Sequence, residues 1–259
     1  MRVLFIGDVV GEPGRRALTG LLPGLRHERD IDVIIANGEN AAGGRGLTVR
    51  TAKEMFRAGV DIISSGNHIL DQREIVEQLD SEAPIIRPAN YPVGTPGRGM
   101  VTAHGITVIN LQGRTFMPNI DCPFRTADAL LEGHPSGPII VDLHAEATSE
   151  KVAMGWYLDG RVAAVFGTHT HVPTADTRIL PKGTAYVTDA GMTGARDSVL
   201  GFEIEASHRL FLTSMPTRLP VEERKSIAIM NSVLLDYDEA AGRARSIERL
   251  DREHILGKS

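Results

Sequence analysis

One cysteine, Cys122, stands among 259 residues, so no intramolecular disulfide framework is possible. That suits a reducing compartment, and a cytoplasmic location is expected. Long apolar runs are missing as well. None approaches the roughly 20 residues that a membrane helix needs, and the opening MRVLFIGDVVGEPG lacks the apolar length and small-residue cleavage pattern of a signal peptide. Nor is there a surplus of positive charge. The formal net charge of -5 leaves no electrostatic footprint for a nucleic-acid polymer. A small anionic substrate is not excluded, because a bound metal supplies local positive charge that composition does not report. Internal repeats, low-complexity tracts and heptads are also absent, and no linker divides the chain. With 42% hydrophobic residues it can bury a sizeable core, and a single domain over 1–259 is expected.

What is present is an alternation of short apolar strands and amphipathic helices. Arg2 to Ile6 reads as a strand ending at Gly7-Asp8, followed by a helix from Pro13 to about Arg26 with proline in its first turn. Ile31 to Ala36 reads as a strand closing on Gly38-Glu39-Asn40, then Thr48 caps a helix to about Ala58. Asp61 to Ser64 reads as a third strand, and a further helix is expected from about Arg73 to Leu79. Gly99–Ala103 and Ile106–Leu111 flank Gly105 as a hairpin. Pro138 to Leu143 runs into His144, Ser149 to Leu158 reads as helical, and Val162 to Phe166 leads into Gly167-Thr168-His169-Thr170-His171. Thr184–Thr188 and Ile227–Tyr237 are later strands, the latter apolar enough to support a homo-oligomer, and the last dozen charged residues are expected at the periphery. The pattern calls for an α/β fold with helices covering the sheet.

Five strand candidates end in residues able to bind a divalent metal: Asp8, Glu39, Asn67, His144, and the pair His169 and His171. Residues just past the carboxyl ends of parallel strands gather along one edge, where ligand crevices form. Singly, each has a bland reading. Asp8 could cap a helix, Glu39 and Asn67 could sit in solvated turns, and His144 could be a hydrogen-bonded core histidine. All five at strand ends, in this order, outweigh those separate accidents. Two carboxylates, an amide and three imidazoles form a mixed N/O set suited to manganese, iron or zinc, and the lack of thiolates argues against structural zinc. Six side chains exceed one tetrahedral metal and suit two ions sharing a carboxylate, about 3.5–4 Å apart, with a water between them as nucleophile. The segment Gly43-Gly44-Arg45-Gly46 lacks the lysine and hydroxyl of a P-loop, and Gly7 to Gly14 does not fit the dinucleotide spacing.

These residues resemble the sequence blocks of the calcineurin-like metallophosphoesterases: GD at Gly7-Asp8, GEN at Gly38-Glu39-Asn40, GNH at Gly66-Asn67-His68, His144, and GTHTH at Gly167–His171. More narrowly, GDVVGEPGR, NGENAAGGRGLT, SSGNHILDQ, GTHTHVPTAD and TDAGMTGARDSVLG resemble the YmdB-like bacterial phosphodiesterases, over most of the chain to at least Gly201. The resemblance implies a four-layer α/β/β/α sandwich, two metals (commonly iron or manganese), and hydrolysis of 2′,3′-cyclic nucleotides or related phosphodiesters. It implies that Asp8, Glu39 and His171 hold one ion and that Glu39, Asn67, His144 and His169 hold the other. His68 is then the residue that orients the phosphate or protonates the leaving oxygen. Two departures from the broad superfamily stand out. Val10 replaces the histidine of the usual D-x-H block, and Glu39 replaces the usual bridging aspartate. The narrower subfamily shares both, and Asn40 is placed to fill the first site. Arg196, in the loop Gly191 to Asp197, is a candidate phosphate contact, with a solvated arginine as its bland alternative. Two other readings stay open: a phosphomonoesterase or nucleotidase on the same metals, and a non-catalytic regulatory protein on this fold. The intact ligand set, His68 included, argues against the second.

Overall fold

The computed structural model describes residues 1–257. In chain order the elements are β1 (Arg2–Ile6), β2 (Asp8–Val9), α1 (Gly11–Glu28), β3 (Val33–Asn37), α2 (Val49–Ala58), β4 (Ile62–Ser64), α3 (Ile75–Leu79), β5 (Met100–Ala103) and β6 (Ile106–Gln112). There follow α4 (Pro123–Glu132), β7 (Ile139–His144), α5 (Thr148–Leu158), β8 (Ala164–Thr168), β9 (Arg178–Ile179), β10 (Ala185–Val187) and β11 (Met192–Ala195). The chain closes with α6 (Ile204–Thr213), β12 (Ile227–Met230), β13 (Ser232–Asp238), β14 (Arg243–Arg249) and β15 (Arg252–Ile255). This is a mixed α/β fold with several sheets. One sheet has the order β14-β13-β1-β3-β4, a second β5-β6-β7-β8-β10-β9, and a third β15-β12-β11-β2.

Strand alternation distributes the core. Leu4 and Ile6 of β1, with Ile34 and Ala36 of β3, pack with Leu18 and Leu22 of α1 and Met55 of α2. Their neighbours Val3, Phe5, Val33 and Ile35 point the other way, into a cluster with Val108 of β6, Ile140 of β7 and Phe166 of β8. Ile109, Val141 and Val165 then pack with Ala127 of α4 and with Met154 and Leu158 of α5. The period of two sends alternate residues to opposite faces. Strands buried on both faces read as the continuous apolar runs seen in the sequence.

In the first sheet β1, β3 and β4 are parallel, and in the second β6, β7, β8 and β10 are parallel. Short polar side chains join the two sheets at their carboxyl ends. Buried Asp142 of β7 accepts hydrogen bonds from Asn37 Nδ2 of β3 (3.1 Å), Ser64 Oγ of β4 (2.5 Å) and Thr168 Oγ1 of β8 (2.7 Å). Burial pushes its carboxyl up to about 7.

The early helices and the hairpin fall where the sequence puts them, and Thr48 caps α2 through a reciprocal pairing with Thr51. Three expectations change. Ile227–Tyr237 is two strands in different sheets, because the chain crosses over at Asn231, and each has a strand on both sides. The charged C-terminal stretch is not peripheral throughout, since β15 pairs antiparallel with β12. Asp8 begins a separate two-residue strand parallel to β11 rather than simply following β1.

A second buried polar unit fastens the GTHTH loop. Lys151 of α5 is almost wholly buried, and its Nζ lies 2.6 Å from Asp189 Oδ2. The same oxygen accepts from the backbone N–H (3.2 Å) and hydroxyl (2.7 Å) of Thr170, while Oδ1 accepts from Gly191 N–H at 2.8 Å. Removing one partner of a buried pair strands the other charge. Lys151→Met is therefore expected to lower the unfolding free energy by about 3–5 kcal/mol in urea titrations. A loss below about 1 kcal/mol would mean that Asp189 is held without the lysine.

Candidate metal centre

Strand termini from all three sheets meet at one place. Asp8 starts β2, Glu39 lies two residues past β3, Asn67 follows β4, His144 ends β7, and His169 follows β8. All of these except Asn67 and His169 are essentially buried. Two close approaches depend on glycine. A Cβ on Gly66 would stand 2.2 Å from the His144 ring, and one on Gly167 would stand 1.8 Å from the Thr188 carbonyl oxygen. Only a bare backbone lets the loop after β4 touch the imidazole.

His144 Nε2 is the centre of the cluster. It lies 3.0 Å from Glu39 Oε1, 3.0 Å from Asn67 Oδ1 and 3.0 Å from His169 Nδ1. One N–H cannot serve three such partners, whereas a cation accepts lone pairs from all of them. Glu39, His144 and His169 offer ligand atoms that lie within 4.8 Å of one another. A second group abuts the first through Glu39. Asn40 Nδ2 is 3.3 Å from Glu39 Oε1 and 3.2 Å from His171 Nε2, and His171 Nε2 is 3.9 Å from Asp8 Oδ1. Asp8 Oδ1 is buried with no hydrogen-bond partner among the described residues. An unpaired buried carboxylate oxygen is costly without a cation beside it. The donor set therefore fits metal ions. A half-turn of the Asn40 amide would present its oxygen to the same point.

Each imidazole is oriented by a group behind it. His144 Nδ1 donates to Thr168 Oγ1 (2.9 Å), which donates in turn to Asp142, so Nε2 faces the cluster. Glu146 Oε2 lies 3.1 Å from His169 Nε2, leaving Nδ1 inward, and the Leu200 carbonyl accepts from His171 Nδ1 at 2.9 Å, leaving Nε2 inward. Such outer partners fix the tautomer of a ligating histidine. Both His169 (φ 98°) and His171 (φ 64°) have left-handed backbones, a strained choice for residues with a Cβ.

Titration follows the same geometry. Burial opposes charge on His144, but Glu39 and then Asp8 override it and hold the imidazolium up to about 9. Burial would raise Glu39, but attraction to His144 prevails and brings it down to about 2. For Asp8, burial dominates and raises the carboxyl. Burial, reinforced by repulsion from His144, drives His169 down to about 3, so it is neutral with a lone pair to offer. A cation bound at this point would displace the His144 proton.

His68 lines the same cleft. Its backbone N–H donates to Glu39 Oε2 (2.9 Å), and its Nδ1 lies 2.9 Å from Asp71 Oδ2 and 3.2 Å from Arg45 Nε. Asp71 also receives Arg45 Nε at 2.7 Å. The sequence reading missed Asp71, Glu146, Asp142 and Asp189. Asp71, three residues past His68, was the most readable of them. The other three act across the fold and left no local signal. Arg196 is a correction. It is exposed, paired with Asp197 (2.9 Å) and Glu253 (3.1 Å), and is not among the cleft-lining residues, because the loop after β11 turns its guanidinium toward β15. The arginines that do line the cleft are Arg45 and Arg218.

Residues 4–250 match the model of the family described as YmdB-like protein. A 2′,3′-cyclic-nucleotide 2′-phosphodiesterase of Bacillus subtilis (strain 168) is 50% identical over 256 residues, covering 96% of each chain. A hypothetical protein of Thermus thermophilus, known from its crystal structure, superposes with a TM-score of 0.92 at 46% identity, over 98% of this chain and 99% of the other. A crystal structure described as that of a novel phosphatase from Mycoplasma pneumoniae gives 0.92 at 32% identity, over 99% and 95%. With a family match spanning nearly its whole length, the chain belongs to the YmdB-like family.

Proposed function

We propose that this protein is a metal-dependent phosphodiesterase that hydrolyses 2′,3′-cyclic nucleotides or related phosphodiesters with two transition-metal ions, iron or manganese before zinc. The observation that carries the reading is His144 Nε2, 3.0 Å from each of three potential ligand atoms, beside the unpaired Asp8 Oδ1. The activity of the Bacillus relative supports the substrate class. Asp8, Asn40 and His171 would hold one ion, Asn67, His144 and His169 the other, and Glu39 would serve both. We read the chain as one domain and its layers as α/β/β/α, since one apolar cluster draws on both large sheets while two others join those sheets to helices.

When bound, the ions would neutralise charge on the phosphoryl oxygens and activate the attacking water. The remaining work belongs to the protein. Water adds to phosphorus, one P–O ester bond breaks, and the leaving ribose oxygen takes a proton. Asp71 and Arg45 both engage the His68 ring at Nδ1, which leaves Nε2 as the atom that delivers that proton. Glu146, Thr168 and the Leu200 carbonyl keep the three ligand imidazoles in the required tautomers. A phosphomonoesterase on the same site is the second reading, favoured by the description of the Mycoplasma structure as a phosphatase.

Assays with bis-p-nitrophenyl phosphate, p-nitrophenyl phosphate and 2′,3′-cyclic AMP, with manganese and with chelator, decide between these readings. Chelator-sensitive turnover that favours the diesters is expected; faster turnover of the monoester would select the second. His68→Ala is expected to keep its metals in elemental analysis and lose roughly 10²–10⁴ in turnover. Metal loss from that variant would make His68 a ligand instead. Glu39→Ala is expected to lose both ions together, while Asn40→Ala should lower occupancy of one. A Glu39→Ala protein that retains a full complement of two would remove Glu39 as the shared ligand.

A further inference from the structure

The cleft extends beyond the ligand cluster. Its volume is 720 Å³, and besides Glu39, Asn40, His169 and His171 it is lined by Leu200, Phe202, Thr217, Arg218 and Leu219. Phosphoryl chemistry alone leaves three features of this far side unexplained. Leu200 has φ 56°, a region that glycine would occupy without strain, yet the position carries a large apolar side chain 43% exposed at the cleft. Phe202 is half-buried and held beside Gly44, where a Cβ would stand 2.9 Å from its ring. Arg218 is exposed at the cleft with no ion pair among the described residues, whereas Arg45 is tied to Asp71 at 2.7 Å.

Building on the phosphodiesterase reading above, we propose that this far side is a nucleotide subsite for the 2′,3′-cyclic-phosphate end of an oligoribonucleotide. Leu200 and Phe202 cover the face of the terminal base, and Arg218 binds the phosphate that joins that nucleotide to its 5′ neighbour. A base offers an apolar face to aromatic and aliphatic side chains whatever its identity, which suits a platform without hydrogen-bond readout. An unpaired guanidinium suits a phosphate, and a free cyclic mononucleotide has only the one that would sit at the metal cluster. The net charge of -5 does not oppose this, because the contact is one phosphate beside one arginine rather than a polymer on a basic surface.

The test compares kcat/KM for 2′,3′-cyclic AMP with that for the dinucleotide ApA ending in a 2′,3′-cyclic phosphate, with bis-p-nitrophenyl phosphate alongside. The wild-type protein is expected to favour the dinucleotide, and Arg218→Ala to reduce that preference about tenfold, with Arg218→Lys between. Leu200→Gly keeps the carbonyl that holds His171 and is expected to raise KM for both nucleotides. A wild-type ratio near one, or a ratio unmoved by Arg218→Ala, overturns the phosphate subsite. An unchanged KM in Leu200→Gly overturns the base platform. If bis-p-nitrophenyl phosphate also fails to turn over with metal present, the phosphodiesterase reading itself has failed and takes the subsite with it.

Discussion

Two sheets can build one site only where their carboxyl edges are held in register, and here the buried carboxylate of Asp142 makes that connection. It gathers donors from β3, β4 and β8 while sitting on β7, so four strands from two sheets share one acceptor. Apolar packing between the sheets is non-directional and tolerates sliding. Hydrogen bonds of 2.5 to 3.1 Å do not. His144 lies two residues beyond Asp142 and is linked to it through Thr168, so the node that aligns the sheets also aims the central imidazole.

The rest of the site follows from proton placement. Three imidazoles each have a hydrogen-bonding partner on the outward nitrogen, of three kinds: a hydroxyl, a carboxylate and a backbone carbonyl. The inward nitrogens converge on carboxylates whose burial makes charge expensive unless it is shared with a cation. Attraction between Glu39 and His144 lowers the one and raises the other, two sides of one interaction. The left-handed backbones of His169 and His171 are the conformational cost of bringing two alternate residues of one loop to the same cluster. The Lys151–Asp189 pair, through Thr170 between them, holds that loop in place.

The residues that meet at the cluster were legible in the sequence because a parallel strand delivers whatever follows its last residue to a common edge. Apolar runs ending in Asp8, Glu39, Asn67, His144 and the His169–His171 pair needed no coordinates to suggest convergence, and the strand-end rule depends only on local pattern. The early helices were readable for the same reason, since Pro13, Thr48 and the apolar periodicity act within a few residues. By contrast, the break at Asn231 within an unbroken apolar run was invisible. Hydrophobicity reports burial and does not say which sheet a strand joins.

The sequence by itself determined the metal chemistry on offer: which donor atoms exist, that no thiolate joins them, and that glycines stand where a backbone must come close. Only the tertiary structure decided what stands behind and around those donors. Glu146, Asp142 and Asp189 are ordinary acids in the chain and gain their roles from partners brought near by folding, up to 105 residues away for Asp142 and Asn37. The same holds for Arg196 and Arg218. Each is an arginine in a loop, and what separates them is that folding pairs one with Asp197 and Glu253 and leaves the other facing the cleft. A ligand set is a list of residue types in order, which a sequence records; orientation, pairing and access are relations across space, which it does not.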